Sequence, residues 1–139
     1  MRLWHVDLLS VLPRSQLLAQ WRELNSIFAK EDRHVLINYI YDYPREDLLL
    51  YTEIVLAEMR SRGYQIRSFE KMANYFDGIE KPNYYKPYAK HHNVEYLEIC
   101  YFNLKEKFIR GQKDYEEAQF FKLQSLYEEA IYQHHPCEN

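Results

Sequence analysis

Pro13-Arg14-Ser15-Gln16-Leu17-Leu18-Ala19-Gln20-Trp21-Arg22-Glu23-Leu24-Asn25-Ser26-Ile27-Phe28 is the stretch whose reading decides the fold. Leu17, Leu18, Trp21, Leu24 and Phe28 recur at helical spacing and define one buried stripe. Pro13 suits the first turn of a helix, where a missing N–H costs nothing. The pattern predicts a helix over about 13–30. Gln16, Gln20, Glu23, Ser26 and Lys30 fall toward another face, so Glu23 is expected off the core stripe, flanked by Arg22.

Upstream, MRLWHVDLLSVL carries few helix signals but many apolar residues. Trp4, Leu8, Leu9, Val11 and Leu12 are expected to anchor the terminus in the core, where an ordinary terminus would fray. A terminus held against the first helix brings an amine near a carboxylate, Glu23, which lies 22 residues further on. Amine and carboxylate together suggest amine chemistry on a carbonyl-like carbon, with the carboxylate moving the proton.

Downstream, His34 to Tyr43 partly alternates, but a lone strand has nothing to pair with, so a turn-like segment packed on helices is expected. Tyr43-Pro44 marks a boundary. A strong helix follows over Arg45 to Arg62, with Leu48, Tyr51, Thr52, Val55, Leu56 and Met59 inward and Gly63 beyond its end. Ser68 caps a short helix over 69–76, closed by Asp77-Gly78. Asn93 caps another over 94–110, with Leu97, Cys100, Tyr101, Leu104 and Phe108 inward. Asp114-Tyr115-Glu116-Glu117 reads as a capping box for a last helix, running through Phe121, Leu126 and Ala130 to about His134. The expectation is an all-α single compact domain of about four main helices, with the N-terminus packed on the first.

A chain of 139 residues can bury a real core in one domain. The 14 tyrosines, each with an apolar body and a polar tip, belong half-buried or at contact surfaces. No apolar run is long enough to span a membrane, and the first residues lack the apolar core of a secretory signal. Cys100 reads as a buried thiol and Cys137 lies near the end of the chain, so a reducing cytoplasm is expected rather than a disulfide. The net charge of −3 hides an asymmetry: residues 114–139 carry six acids against Lys122, leaving the preceding body slightly positive. That body lacks the strong basic footprint of a tight non-specific DNA binder.

Phosphate-loop, zincin and thioredoxin-like motifs are missing. His91-His92, and His134-His135 with Cys137, do not have a spacing that argues for a deliberate metal site, so neither metal nor cofactor is expected. His5 and His34 read as hydrogen-bonded structural histidines before they read as bases or DNA contacts. In residues 79–92, Lys81, Lys86 and Lys90 interleave with tyrosines. Such a loop can grip a phosphate backbone, but composition favours a surface crossover whose tyrosines lie on the domain.

Three blocks resemble the pyrimidine-dimer DNA glycosylase family of the phage endonuclease V type. They are Leu8 to Leu12 with Gln16 to Leu24 and Phe28, then Asp47 to Ile66 ending Met59-Arg60-Ser61-Arg62-Gly63-Tyr64-Gln65-Ile66, then Leu104 to Phe108. Together they span most of residues 1–110, with 114–139 left as an acidic helix outside the likeness. The resemblance implies an all-α enzyme whose N-terminal α-amine attacks C1′ of the damaged nucleotide, forms a Schiff base, releases the base and breaks the strand by β-elimination. It implies Met1 as the amine, Glu23 as the proton-transfer group, and Arg2, Arg22 and Lys107 as DNA contacts. An α-amine is about two pKa units less basic than a lysine, which suits it to this attack.

Two departures stand out. Position 2 is Arg, where relatives expose a small residue after losing the initiator Met, so the register that fits sets Met1 on the nucleophile. Ser26 and Asn103 occupy positions that are basic in the family, which implies weaker phosphate contacts. The expected partner is damaged double-stranded DNA, pyrimidine-dimer or abasic, bound by a cytoplasmic monomer. Two other functions fit the residues: a non-catalytic nucleic-acid or protein binding module on the same fold, and an amine-dependent enzyme on a non-DNA aldehyde.

Overall fold

The computed structural model describes residues 1–112 and 114–134. Five α-helices follow in order: α1 (Arg14–Lys30), α2 (Arg45–Ser61), the short α3 (Glu70–Tyr75), α4 (Val94–Ile109) and α5 (Glu117–His134). Two 3-10 helices, Val6–Val11 and Asn38–Asp42, fill the connections. The second stands within the segment expected to be turn-like, and it buries Ile40. The four long helices and one short one match the fold class read from the sequence.

The core stripes fall where periodicity puts them. Leu17, Leu24 and Phe28 of α1, Leu48, Tyr51, Val55 and Met59 of α2, and Leu97, Cys100, Tyr101 and Leu104 of α4 are buried together with Leu3, Trp4, Leu8, Leu9 and Leu12. The apolar terminus is therefore an integral part of the core. α1 packs on α2 and α3, while α4 and α5 pack on each other and on the first 3-10 helix.

Chain punctuation follows the local chemistry. After α2, Gly63 adopts φ 81°, and the N–H groups of Gly63 and Tyr64 donate back to Arg60 O (2.9 Å) and Met59 O (3.0 Å). Gly111 closes α4 the same way, onto Phe108 O and Lys107 O. Both are Schellman endings, in which glycine carries the left-handed residue without strain. Asn93 Oδ1 accepts the Tyr96 N–H (2.9 Å) and Ser68 Oγ accepts the Glu70 N–H (3.2 Å), as their positions suggested.

One reading needs correction. Asp114 does not open a local capping box: its Oδ2 accepts the Ser15 N–H at 2.6 Å, 99 residues away in sequence. Pro13 has no side-chain acceptor for the first turn of α1, so Asp114 supplies the missing cap and ties the start of α5 to the start of α1. On α5 Leu123 is fully buried while Phe121 is 62% exposed. The helix seats through aromatic stacking, Tyr127 on Tyr101 (4.0 Å between centroids) and Phe120 on Phe108 (4.3 Å). His135 and Cys137 lie outside the described residues.

The tyrosine-rich loop lies on the domain. Asp47, at the start of α2, accepts the Tyr88 N–H (2.8 Å) and the Tyr84 hydroxyl. Tyr88 is buried, and only Tyr85 stands almost wholly free, at 90% exposure. His91 stacks on Tyr39 at 3.5 Å. His92 Nδ1 accepts the Val6 N–H (3.0 Å) and its Nε2 pairs with the Tyr39 hydroxyl (2.6 Å), a partner set that fixes a neutral ring with the proton on Nε2. His5 is held likewise, accepting from the Asp7 N–H and donating to Asn93 O. Both histidines fasten residues 5–7 to the start of α4. Among the described residues no helix is long and apolar enough to cross a membrane.

Candidate active site

The site starts from one buried amide. Gln20 sits on α1 at 0% exposure, although its polarity placed it off the core stripe in the sequence. Its Oε1 accepts the Trp4 N–H (2.8 Å) and its Nε2 donates to Arg2 O (3.1 Å). One side chain thus pairs with the backbone on both sides of Leu3, as a neighbouring strand would. The Tyr51 hydroxyl, from α2, reaches both Trp4 O (2.6 Å) and Gln20 Oε1 (3.0 Å). The Tyr96 hydroxyl, from α4, donates to Leu3 O (2.5 Å). Three helices therefore hold residues 2–4 in one register, and Met1 emerges from that clamp with 37% of its surface exposed. Backbone groups buried this way must be paired, and here side chains do the pairing.

Glu23 lies one turn beyond Gln20 and takes a hydrogen bond from Gln20 Nε2 at 3.2 Å. Burial raises its carboxyl above the usual glutamate value. The Met1 ammonium opposes that rise, followed by the Arg2 N–H as a donor to the carboxylate, then Arg22 and His34. The Met1 amine and the Arg2 N–H are thus among the groups that act on the Glu23 carboxyl. A half-buried carboxyl of raised pKa is a better proton acceptor near neutral pH than an exposed one.

The remaining candidates take different positions. The Arg2 side chain turns toward α4, its guanidinium carbon 5.9 Å from the ring centres of both Trp4 and Tyr96. Burial pushes the Cys100 thiol up, and Arg2 is among the groups that work against it. Arg22 is exposed on the outer ridge of α1 and lines a groove on the far side of that helix. Lys107 shares a helical stripe of α4 with Tyr96, Cys100 and Asn103, about 10 Å along the helix from Cys100 at helical rise. The site residues that sequence reasoning missed are Gln20, Tyr51 and Tyr96. Gln20 was legible in principle, because it stands three residues after Leu17 and four before Leu24, a core position by spacing.

The family model for pyrimidine dimer DNA glycosylases matches residues 1–72, more than half of the chain. The chain belongs to the pyrimidine dimer DNA glycosylase family. No curated protein and no solved structure gives a significant match. The matched span of this family member contains the amine, the Gln20 clamp, Arg22 and Glu23, while Leu104 to Phe108 lies beyond it. Family membership implies damaged DNA as the partner.

Proposed function

We propose that the protein is a DNA glycosylase with AP lyase activity that works through a Schiff base on Met1. The Met1 amine attacks C1′ of the damaged nucleotide, the glycosidic bond breaks, and the base leaves with a proton. The sugar ring opens and C1′ becomes an iminium on the Met1 nitrogen. Loss of a C2′ proton then expels the 3′ phosphate by β-elimination, and water hydrolyses the imine to free the enzyme. Glu23 accepts the proton of the attacking amine and pairs with the iminium charge. Arg2 beside the terminus, Arg22 on the ridge of α1 and Lys107 along α4 bind phosphates around the lesion. Pyrimidine-dimer and abasic sites are the substrates, both cheaper to unstack than intact pairs. The enzyme works as a cytoplasmic monomer, and no step of this scheme calls for a metal or cofactor.

The observation that carries this reading is the Met1 charge acting on a half-buried carboxyl, Glu23, whose pKa burial raises. Strand nicking of an abasic duplex tests it. Glu23→Gln keeps shape and hydrogen-bonding capacity but cannot take a proton, and the nicking rate is expected to fall by about 100-fold or more. A Glu23→Gln protein that nicks at the wild-type rate overturns the assignment.

A further inference from the structure

After α1 the chain turns back along that helix. Ser26 lies three residues after Glu23 on the same face, and its hydroxyl donates to Asp32 Oδ2. Two residues further on, His34 is near enough for its imidazole to act on the Glu23 carboxyl, as the Met1 ammonium does. The returning segment is fastened on both sides. The Tyr41 hydroxyl donates to Asp32 O (2.5 Å), the Arg33 guanidinium lies 3.7 Å from the centre of the Tyr41 ring, and Ile37 is fully buried. Between these anchors His34 closes a turn with its own atoms. Its N–H donates to Asn38 Oδ1 (2.8 Å), its Nδ1 accepts the Leu36 N–H (3.1 Å), and its carbonyl accepts the N–H groups of Ile37 (2.9 Å) and Asn38 (2.8 Å). Val35 and Leu36 stand at the tip, 83% and 37% exposed. One exposed aliphatic residue is ordinary on a protein surface. Here two in succession are held outward by a hydrogen-bonded turn on the Glu23 face of α1.

We propose that Val35 and Leu36 form an apolar wedge that enters the base stack at the lesion and holds the base step open while the amine reaches C1′. The proposal rests on the protein acting on a nucleotide within DNA, and it assigns the residues that open a paired substrate. Unstacking a base step is costly, and aliphatic side chains inserted into the step offset part of that cost by covering the base faces they separate. Phosphate contacts cannot do this, because they position the backbone from outside the stack. The turn suits the task in two ways. It is already ordered, so little conformational freedom is lost on insertion, and a β-branched valine has few rotamers to lose. The N–H groups of Leu36, Ile37 and Asn38 are bonded within the turn, so they carry no unpaired donor against the base faces.

The test uses a duplex with a tetrahydrofuran abasic analogue, which has no aldehyde and forms no Schiff base, and 2-aminopurine opposite it. The fluorescence of 2-aminopurine rises as the base leaves the stack. Saturating wild-type protein is expected to raise the emission, and Val35→Ala with Leu36→Ala to abolish the rise. Phe121→Ala, which removes an exposed aromatic on α5, should leave the rise intact, and Val35→Ile with Leu36→Met should retain it. All variants are checked for native helix content. Nicking at a natural abasic site by the double alanine variant should fall about tenfold or more in duplex DNA, the order of one aliphatic side chain's burial. In single-stranded DNA, where no paired stack has to be held open, its rate should stay at the wild-type value. No rise with wild type, an unchanged rise in the double variant, an equal loss in Phe121→Ala, or equal nicking losses on both substrates overturns the proposal. Borohydride trapping of wild type on an abasic duplex separates the two readings. A rise lost in the double variant, with no adduct from wild type, retains the wedge and removes the catalytic assignment. A wild-type adduct with a rise that ignores Val35 and Leu36 does the reverse.

Discussion

Gln20 is the residue on which the geometry of the terminus turns. Its amide makes three hydrogen bonds across residues 2–4 and Glu23, and shares its oxygen with Tyr51. Gln20→Leu would leave the Trp4 N–H without its acceptor and Arg2 O without its donor. Each unpaired buried group costs about 1–3 kcal/mol, so a loss of about 2–4 kcal/mol in unfolding free energy is expected by chemical denaturation. If the amide sets the register of the amine against Glu23, the single-turnover rate on abasic DNA should fall while duplex affinity holds. An affinity loss with an unchanged rate would contradict that role. Glu23 itself carries a stability consequence with a definite sign. Its folded pKa is raised above the unfolded value, so ionisation favours the unfolded chain: its contribution to stability is present below the unfolded pKa and is lost as pH rises through the folded one. Glu23→Gln should therefore raise Tm at neutral pH, and the gain should shrink toward acid pH, where the wild-type carboxyl is already protonated. A Glu23→Gln protein less stable than wild type at neutral pH would contradict the direction.

At the scale of elements, the clearest feature is a cap supplied from a distance. α1 begins after Pro13, which has no side-chain acceptor, and Asp114 accepts both the N–H and the hydroxyl of Ser15. Burial works to raise the Asp114 carboxyl, but the Ser15 N–H, Gln112 and the Ser15 hydroxyl hold it below its usual value. Asp114→Ala should lower stability by about 1–2 kcal/mol, the cost of an N-cap, with the loss read in amide exchange at Ser15 and Gln16. No change in protection at the start of α1 would show that the contact is idle. This contact also marks where sequence reading stops. The helices were legible because Leu17 to Phe28, Leu48 to Met59 and Leu97 to Phe108 keep an unbroken helical period, and because Gly63, Gly111 and Asn93 sit at their ends. Asp114 matched a local box equally well, and only three-dimensional proximity to Ser15 decides between the two. On α5 apolar and aromatic residues occupy several faces, so the period does not single out Leu123. The amine and Glu23 were legible as separate candidates, but the clamp between them was not, because polarity argued Gln20 outward.

Across the whole molecule, the described fold serves one end of the chain. α2 contributes Tyr51 and α4 contributes Tyr96 to hold residues 3 and 4, while His5 and His92 fasten the segment that follows. Burial holds His92 down to about 2, and His5 is lowered as well. Both are neutral in the folded protein at neutral pH, so they keep the terminus anchored without adding charge beside it. α5 packs on α4 and on the first 3-10 helix, and residues 114–139 carry six acids against Lys122, which leaves the slightly positive body to meet DNA. The central claim is that this architecture presents the Met1 amine as the nucleophile. Borohydride reduction on an abasic duplex, followed by peptide mapping of the adduct, tests it most directly. The expected result is a covalent sugar adduct on the Met1 nitrogen, lost when the N-terminus is blocked and lost in Glu23→Gln. An adduct mapped to a lysine, or none with the native amine free, would contradict it.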